Sequence, residues 1–263
     1  GVVINFDKFN PAVGKPVGVP LAGEIMPSRW AYEAFMVTQF KDNPYEKQFY
    51  PMDKILAESE YKRTYYIPAL KSKLAYCLNN PSQWQNRNSE RMNSSLTLLR
   101  NEIKNELKFI GEKHFPEVER LAIGKLDSTL LLKADTFLTR LRSYYVRKRD
   151  DATEEREKLD SALRATPEKA EAFEALRNRF ANKAVTDAVE NNTTLVRRVE
   201  YQGTLVQRIY PIYMDEHKPR NMFDFSANLF QPTKHFLGRY FDTLYFNISV
   251  IWWLTFMFFI TLY

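Results

Sequence analysis

The chain has 263 residues, with 38 basic and 32 acidic side chains and a net charge of +6. The two signs are interspersed in runs such as RKRDD and EEREK, the pattern of a solvated helix face, which argues against a nucleic-acid-binding stripe. The single cysteine, Cys77, excludes an internal disulfide framework and does not report the redox character of a compartment.

Residues 1–25 are rich in proline and glycine among short apolar runs and predict an extended connector. Met26-Pro27 then opens a helix, because proline suits the first helical turn and the apolar positions Trp30, Ala34, Val37 and Phe40 recur every three to four residues. Asn43-Pro44 ends it. The rest of residues 26–78 reads as short helices with breaks near Pro51 and Pro68.

Residues 79–190 predict a helical hairpin or bundle. Met92, Leu96, Leu99, Ile103, Leu107 and Ile110 form one face of a long helix that Gly111 ends. A second helix is expected from about Glu117 to the RKRDD run, with Leu121, Leu126, Leu130, Phe137, Leu141 and Tyr145 inward. An Ala- and Glu-rich stretch with a Glu154/Lys158 pair follows, and Thr166-Pro167-Glu168 starts a further helix. Apolar stripes on neighbouring helices without alternating strands define a mainly α fold.

Residues 191–243 form an irregular or short-strand return segment. Apolar residues on both sides of Gln202-Gly203 suit a small β-hairpin over about 195–210, and a helix is the alternative.

Residues 244–263 carry no charge, and eleven of these twenty are Leu, Ile, Val or Phe. At ~1.5 Å rise per residue they reach ~30 Å, the hydrocarbon thickness of a bilayer, so a transmembrane helix is expected. Leu244, Asn247, Trp252, Trp253 and Phe259 would then be membrane-embedded, with Tyr240, Phe241, Tyr245 and Phe246 as an interfacial aromatic belt. With no initiator Met at Gly1 and no basic flank after Tyr263, the chain reads as an internal piece of a longer polypeptide.

No signature of catalysis or metal binding stands out. His114, His217 and His235 are scattered, the glycines never form GxxxxGK[ST] or GxGxxG, and neither GxSxG nor HExxH occurs. Four Asn-x-Ser/Thr triplets, at Asn93, Asn191, Asn192 and Asn247, match the glycosylation pattern, but the last lies in the proposed span and shows how unspecific the pattern is.

EIMPSRWAYEAFMVTQF followed by KDNPYEKQFY resembles the segment after the fifth membrane helix of the ABCG (White-type) ABC exporters. The matching features are Pro27, Arg29, Trp30, Tyr32, Ala34, Gln39 and Phe40. YFNISVIWWLTFMFFITLY is similar in position and character to the sixth and last membrane helix. The sequence between departs from the family, where a short loop stands in place of this largely helical insertion.

The resemblance implies a piece of an ATP-driven exporter acting as a dimer. ATP and Mg would be held by a nucleotide-binding domain elsewhere in the parent protein, since this piece has no ATPase motif and no cofactor site of its own. Residues 1–243 would face the periplasm of a bacterial inner membrane and help gate substrate exit or dock a periplasmic partner. The remaining membrane helices, the ATPase domain and the lipid bilayer would be its partners. The alternative is a single-span adaptor or scaffold with a helical interaction domain.

Overall fold

The computed structural model describes residues 19, 21–214, 222 and 228–262. The connector expected over 1–25 therefore lies mostly outside the described residues, and within it Leu21–Glu24 forms one helical turn, α1. The described chain is mainly helical with two small antiparallel sheets. In order come α2 (Pro27–Lys41), α3 (Glu46–Tyr61), a π-helical segment (Lys62–Tyr66), α4 (Ile67–Asn79), α5 (Glu90–Ile110) and α6 (Ser128–Leu163). Then follow α7 (Pro167–Phe180), α8 (Lys183–Glu190), β1 (Arg198–Tyr201), β2 (Thr204–Gln207), β3 (Thr233–Phe236), β4 (Arg239–Asp242) and α9 (Thr243–Leu262). These residues gather into two compact units, one of residues 1–58, 152–195 and 208–263, the other of 59–151 and 196–207.

In the first unit, α2 begins where the sequence places it. Met26 is extended and Pro27 takes the first helical position, where its missing N–H has no intrahelical partner to lose. Met36, Val37 and Phe40 join Val185 and Val189 of α8 with Ile212, Tyr213 and Phe230 in one core. Tyr50 donates to the Ile212 carbonyl at 2.7 Å, and Phe40 meets Tyr213 edge-on at 5.9 Å. α3 runs through Pro51 without the expected break. The proline removes a single ladder bond near the helix start, and Phe49 beside it is buried against Phe173 of α7. Thr166 and Asn182 cap α7 and α8, their side-chain oxygens accepting from backbone N–H groups of the first turn.

In the second unit, α4 packs on α5. Met92, Leu96, Leu99, Ile103 and Leu107 are buried as their spacing requires, whereas Ile110 is only half-buried at the helix end. Glu102 and Glu106 are buried on the same helix and fully engaged. Glu102 accepts from the Tyr66 hydroxyl at 2.9 Å and from the Leu205 N–H at 2.6 Å, while Glu106 accepts from Tyr145 at 2.8 Å and pairs with Lys62. The π-helical segment supplies Lys62 and Tyr66 to this pair. β1 and β2 form the hairpin open in the sequence, Tyr201 facing Thr204 across a turn in which Gln202 and Gly203 both have positive φ, 48° and 71°.

The second long helix departs from expectation at both ends. It starts at Ser128, not near Glu117, because the Asp127 carboxylate accepts from the Leu130 N–H at 2.7 Å and caps it there. It runs through RKRDD to Leu163, since charged residues continue a helix where neither Gly nor Pro interrupts. Glu154 and Lys158 pair one turn apart at 2.6 Å as the spacing predicts.

Candidate functional site

The densest buried chemistry lies in the first unit, where α2 meets the base of α9. Arg29 and Glu33 lie one turn apart on α2, Lys234 comes from β3 and Asn247 from the second turn of α9. Glu33, Lys234 and Asn247 are almost wholly inaccessible at 0%, 1% and 0% exposure.

One oxygen of the Glu33 carboxylate accepts from Lys234 Nζ at 2.7 Å and from the Phe230 N–H at 3.0 Å. The other accepts from Asn247 Nδ2 at 3.0 Å and lies 3.6 Å from the Arg29 guanidinium. Burial pushes the Glu33 carboxyl up, but the Lys234 and Arg29 charges and the hydrogen bonds from Lys234 and Asn247 outweigh it and hold the group below its ordinary range. Arg29 also lies 3.4 Å from Glu24 and stacks over the Trp30 ring at 3.9 Å.

Asn247 Nδ2 donates a second time, to the Trp30 carbonyl at 3.0 Å, and Trp30 packs against Phe246 at 6.0 Å. Thr243 fixes the start of α9: its hydroxyl donates to the Gln231 carbonyl at 2.6 Å and its N–H to the Pro232 carbonyl at 3.1 Å. Asp242 caps the helix through the Leu244 N–H at 2.9 Å and pairs with Lys41 at 2.8 Å. Thr243, Asn247 and Leu254 form the narrow buried stripe of a helix whose other faces are open.

Apart from Leu254, the outer part of α9 is mostly exposed. Tyr245, Trp252, Trp253, Phe256, Phe259 and Leu262 are 59–80% exposed. It is the one described helix long and apolar enough to cross a membrane, and only 17% of its most apolar stretch is buried, unlike the core helix of a soluble domain.

Of the residues singled out in sequence, Arg29, Trp30 and Asn247 come together here, and Pro27 starts the helix that carries the first two. Tyr32 lies edge-on to Phe230 at 5.9 Å, and Ala34 and Phe40 are core. Gln39 is half-buried, and its carbonyl accepts from the Asn43 side chain at 2.7 Å. Leu244 belongs to the cap, while Trp252, Trp253 and Phe259 point outward. Of the aromatic-belt residues, Tyr240, Phe241 and Tyr245 are exposed, and Phe246 is half-buried beside Trp30 and Phe236.

Glu33 and Lys234 escaped the sequence reading. Glu33 stands on the apolar stripe of α2 between Trp30 and Val37, one turn after Arg29, and that placement was its signal. Lys234 had none, because its partners are distant in sequence.

His235 is buried edge-on to Tyr240 at 5.2 Å, His114 is exposed, and His217 lies outside the described residues. Cys77 is buried, and burial pushes its thiol up to about 11. Among the described residues no group of three His, Cys, Asp or Glu side chains is arranged to hold a metal ion. No known protein family, curated protein or solved structure matches this chain.

Proposed function

We propose that this chain is the last exported loop and final membrane helix of an ABCG-like exporter, with residues 1–243 on the periplasmic side of a bacterial inner membrane. The observation that carries the reading is an uncharged, largely apolar 20-residue helix, exposed over most of its surface, whose base is locked to α2 by a buried charge network. An exposed apolar surface of this kind requires lipid or neighbouring helices to cover it. The network meets the segment on which the family resemblance rests, since Arg29 and Trp30 belong to both.

In this role α2 and α9 move as one piece. The loop influences export by being bound more favourably in one state of the pump than another, because it has no means of hydrolysing ATP itself. ATP and Mg act in the parent protein's nucleotide-binding domain, and the working assembly is a dimer. The helical region of the second unit gates exit or docks a partner.

The test is the coding sequence on either side of residues 1–263, followed by transport. The reading expects a GxxxxGK[ST] motif and five further spans upstream, and a deletion confined to the second unit, residues 80–151, that preserves ATPase activity while changing export. Flanks with neither motif nor spans would overturn it in favour of a single-span adaptor.

A further inference from the structure

In the second unit, a groove of about 1050 Å³ runs between the C-terminal end of α5 and one face of α6. Its α6 wall carries Thr129, Lys133, Thr136, Arg140, Tyr144 and Arg147, spaced three to four residues apart and so aligned on one helix face. From Thr129 to Arg147 this stripe extends ~27 Å, about five helical turns.

The apolar lining is exposed where a core would hide it. Phe109 is 76% exposed, Leu132 58% and Tyr144 41%, over a floor formed by the buried pair Phe115 and Phe137, 5.7 Å apart. The charged lining is cationic in balance. Glu117 is the carboxylate in the groove and is already held by Lys133 at 2.8 Å and Arg120 at 2.8 Å. Arg140 and Arg147 are exposed and make no ion pair with any described residue. Aromatic anchors flanked by arginine are the side chains that carry binding energy at protein interfaces.

We propose that this groove binds an acidic amphipathic helix of a partner protein. The partner lays an apolar face on Phe109, Leu132 and Tyr144 and presents carboxylates to Arg140 and Arg147. The length of the stripe suits a helix of four to five turns, and helix-in-groove docking by anchors at i, i+3/4 and i+7 is the recognition mode for such a surface. The proposal rests on the docking role stated above for this region and does not require the exporter role.

The full chain in phosphatidylcholine nanodiscs is the sample, and an 18-residue display library with fixed Leu at i, i+3/4 and i+7 and variable flanks is the probe. Selection is expected to return helices rich in Asp and Glu. Their affinity should fall about tenfold or more in R140E/R147E and in Phe109→Ser, and fall again in high salt. Arg91→Glu, at the opposite end of α5 from Phe109 and outside the groove lining, should leave affinity unchanged.

Selection that returns nothing, or returns neutral or basic helices, overturns the proposal, as does equal binding to R140E/R147E. Displacement of the selected helices by phosphatidylglycerol vesicles, with the same loss in R140E/R147E, assigns the groove to anionic lipid and also overturns it. Flanking sequence without ATPase motifs would remove the exporter role and leave these binding results as they are.

Discussion

Glu33 and Lys234 set the strongest residue-level expectation, because removing one member of a buried ion pair leaves the other charge without compensation. Glu33→Gln should destabilise the fold by about 3–5 kcal/mol, and the double variant Glu33→Gln/Lys234→Met should recover most of that. Thermal unfolding of both in detergent measures the coupling. Because Glu33 is held below its ordinary pKa of 4.5, its contribution is present above that value and is lost as pH falls through the folded-state pKa. Acidification below pH 4.5 should therefore weaken the parent protein more than Glu33→Gln.

Glu46 behaves oppositely. Burial and the nearby carboxylates of Asp53 and Glu190 push it up to about 7. The folded state then holds a proton that the unfolded chain releases, so a cost builds as pH rises from 4.5 to about 7 and stays above it. Glu46→Gln should raise the Tm at pH 8 and change it little at pH 4. Solvent screening limits the gain to about 1 kcal/mol for a group that is only half-buried.

At the scale of elements, the two hairpins show what local sequence can and cannot carry. Gln202-Gly203 marked the first, since glycine accepts the positive φ of a tight turn without strain. The second turns through Leu237 and Gly238 at φ 50° and 74°, and an exposed leucine in that conformation is no sequence signal for a turn. Leu237→Asn should stabilise β3–β4 by about 0.5–1 kcal/mol, because asparagine tolerates the left-handed region better. Hydrogen exchange of the β3 and β4 amides measures it, and faster exchange would contradict it.

Periodicity made α2, α5 and the apolar stretch of α9 legible. The start of α6 was not legible, because Leu121 and Leu126 are apolar yet belong to turns ahead of the Asp127 cap. The buried network was legible only in part. Arg29 and Trp30 lay in a conspicuous segment, but pairing Glu33 with Lys234 and Asn247 requires knowledge of which strand and which helix return to α2. Asn247→Leu tests that joint. It removes donors to Glu33 and to the Trp30 carbonyl and should cost about 1–3 kcal/mol, read as a lower Tm, although it makes α9 more apolar.

For the whole molecule, the central question is what covers α9. A soluble protein would bury so long an apolar helix or surround it with other subunits, whereas here burial is confined to the base and Leu254. The chemistry of the base fits a membrane boundary, with the last charged side chain, Asp242, pairing with Lys41 just before the helix begins. The most direct measurement places a nitroxide at position 253 in the Cys77→Ser/Trp253→Cys variant, reconstituted in lipid vesicles. High collision with oxygen and low collision with a water-soluble nickel complex are predicted, the signature of the hydrocarbon core. Free collision with the nickel complex would contradict the membrane-spanning account.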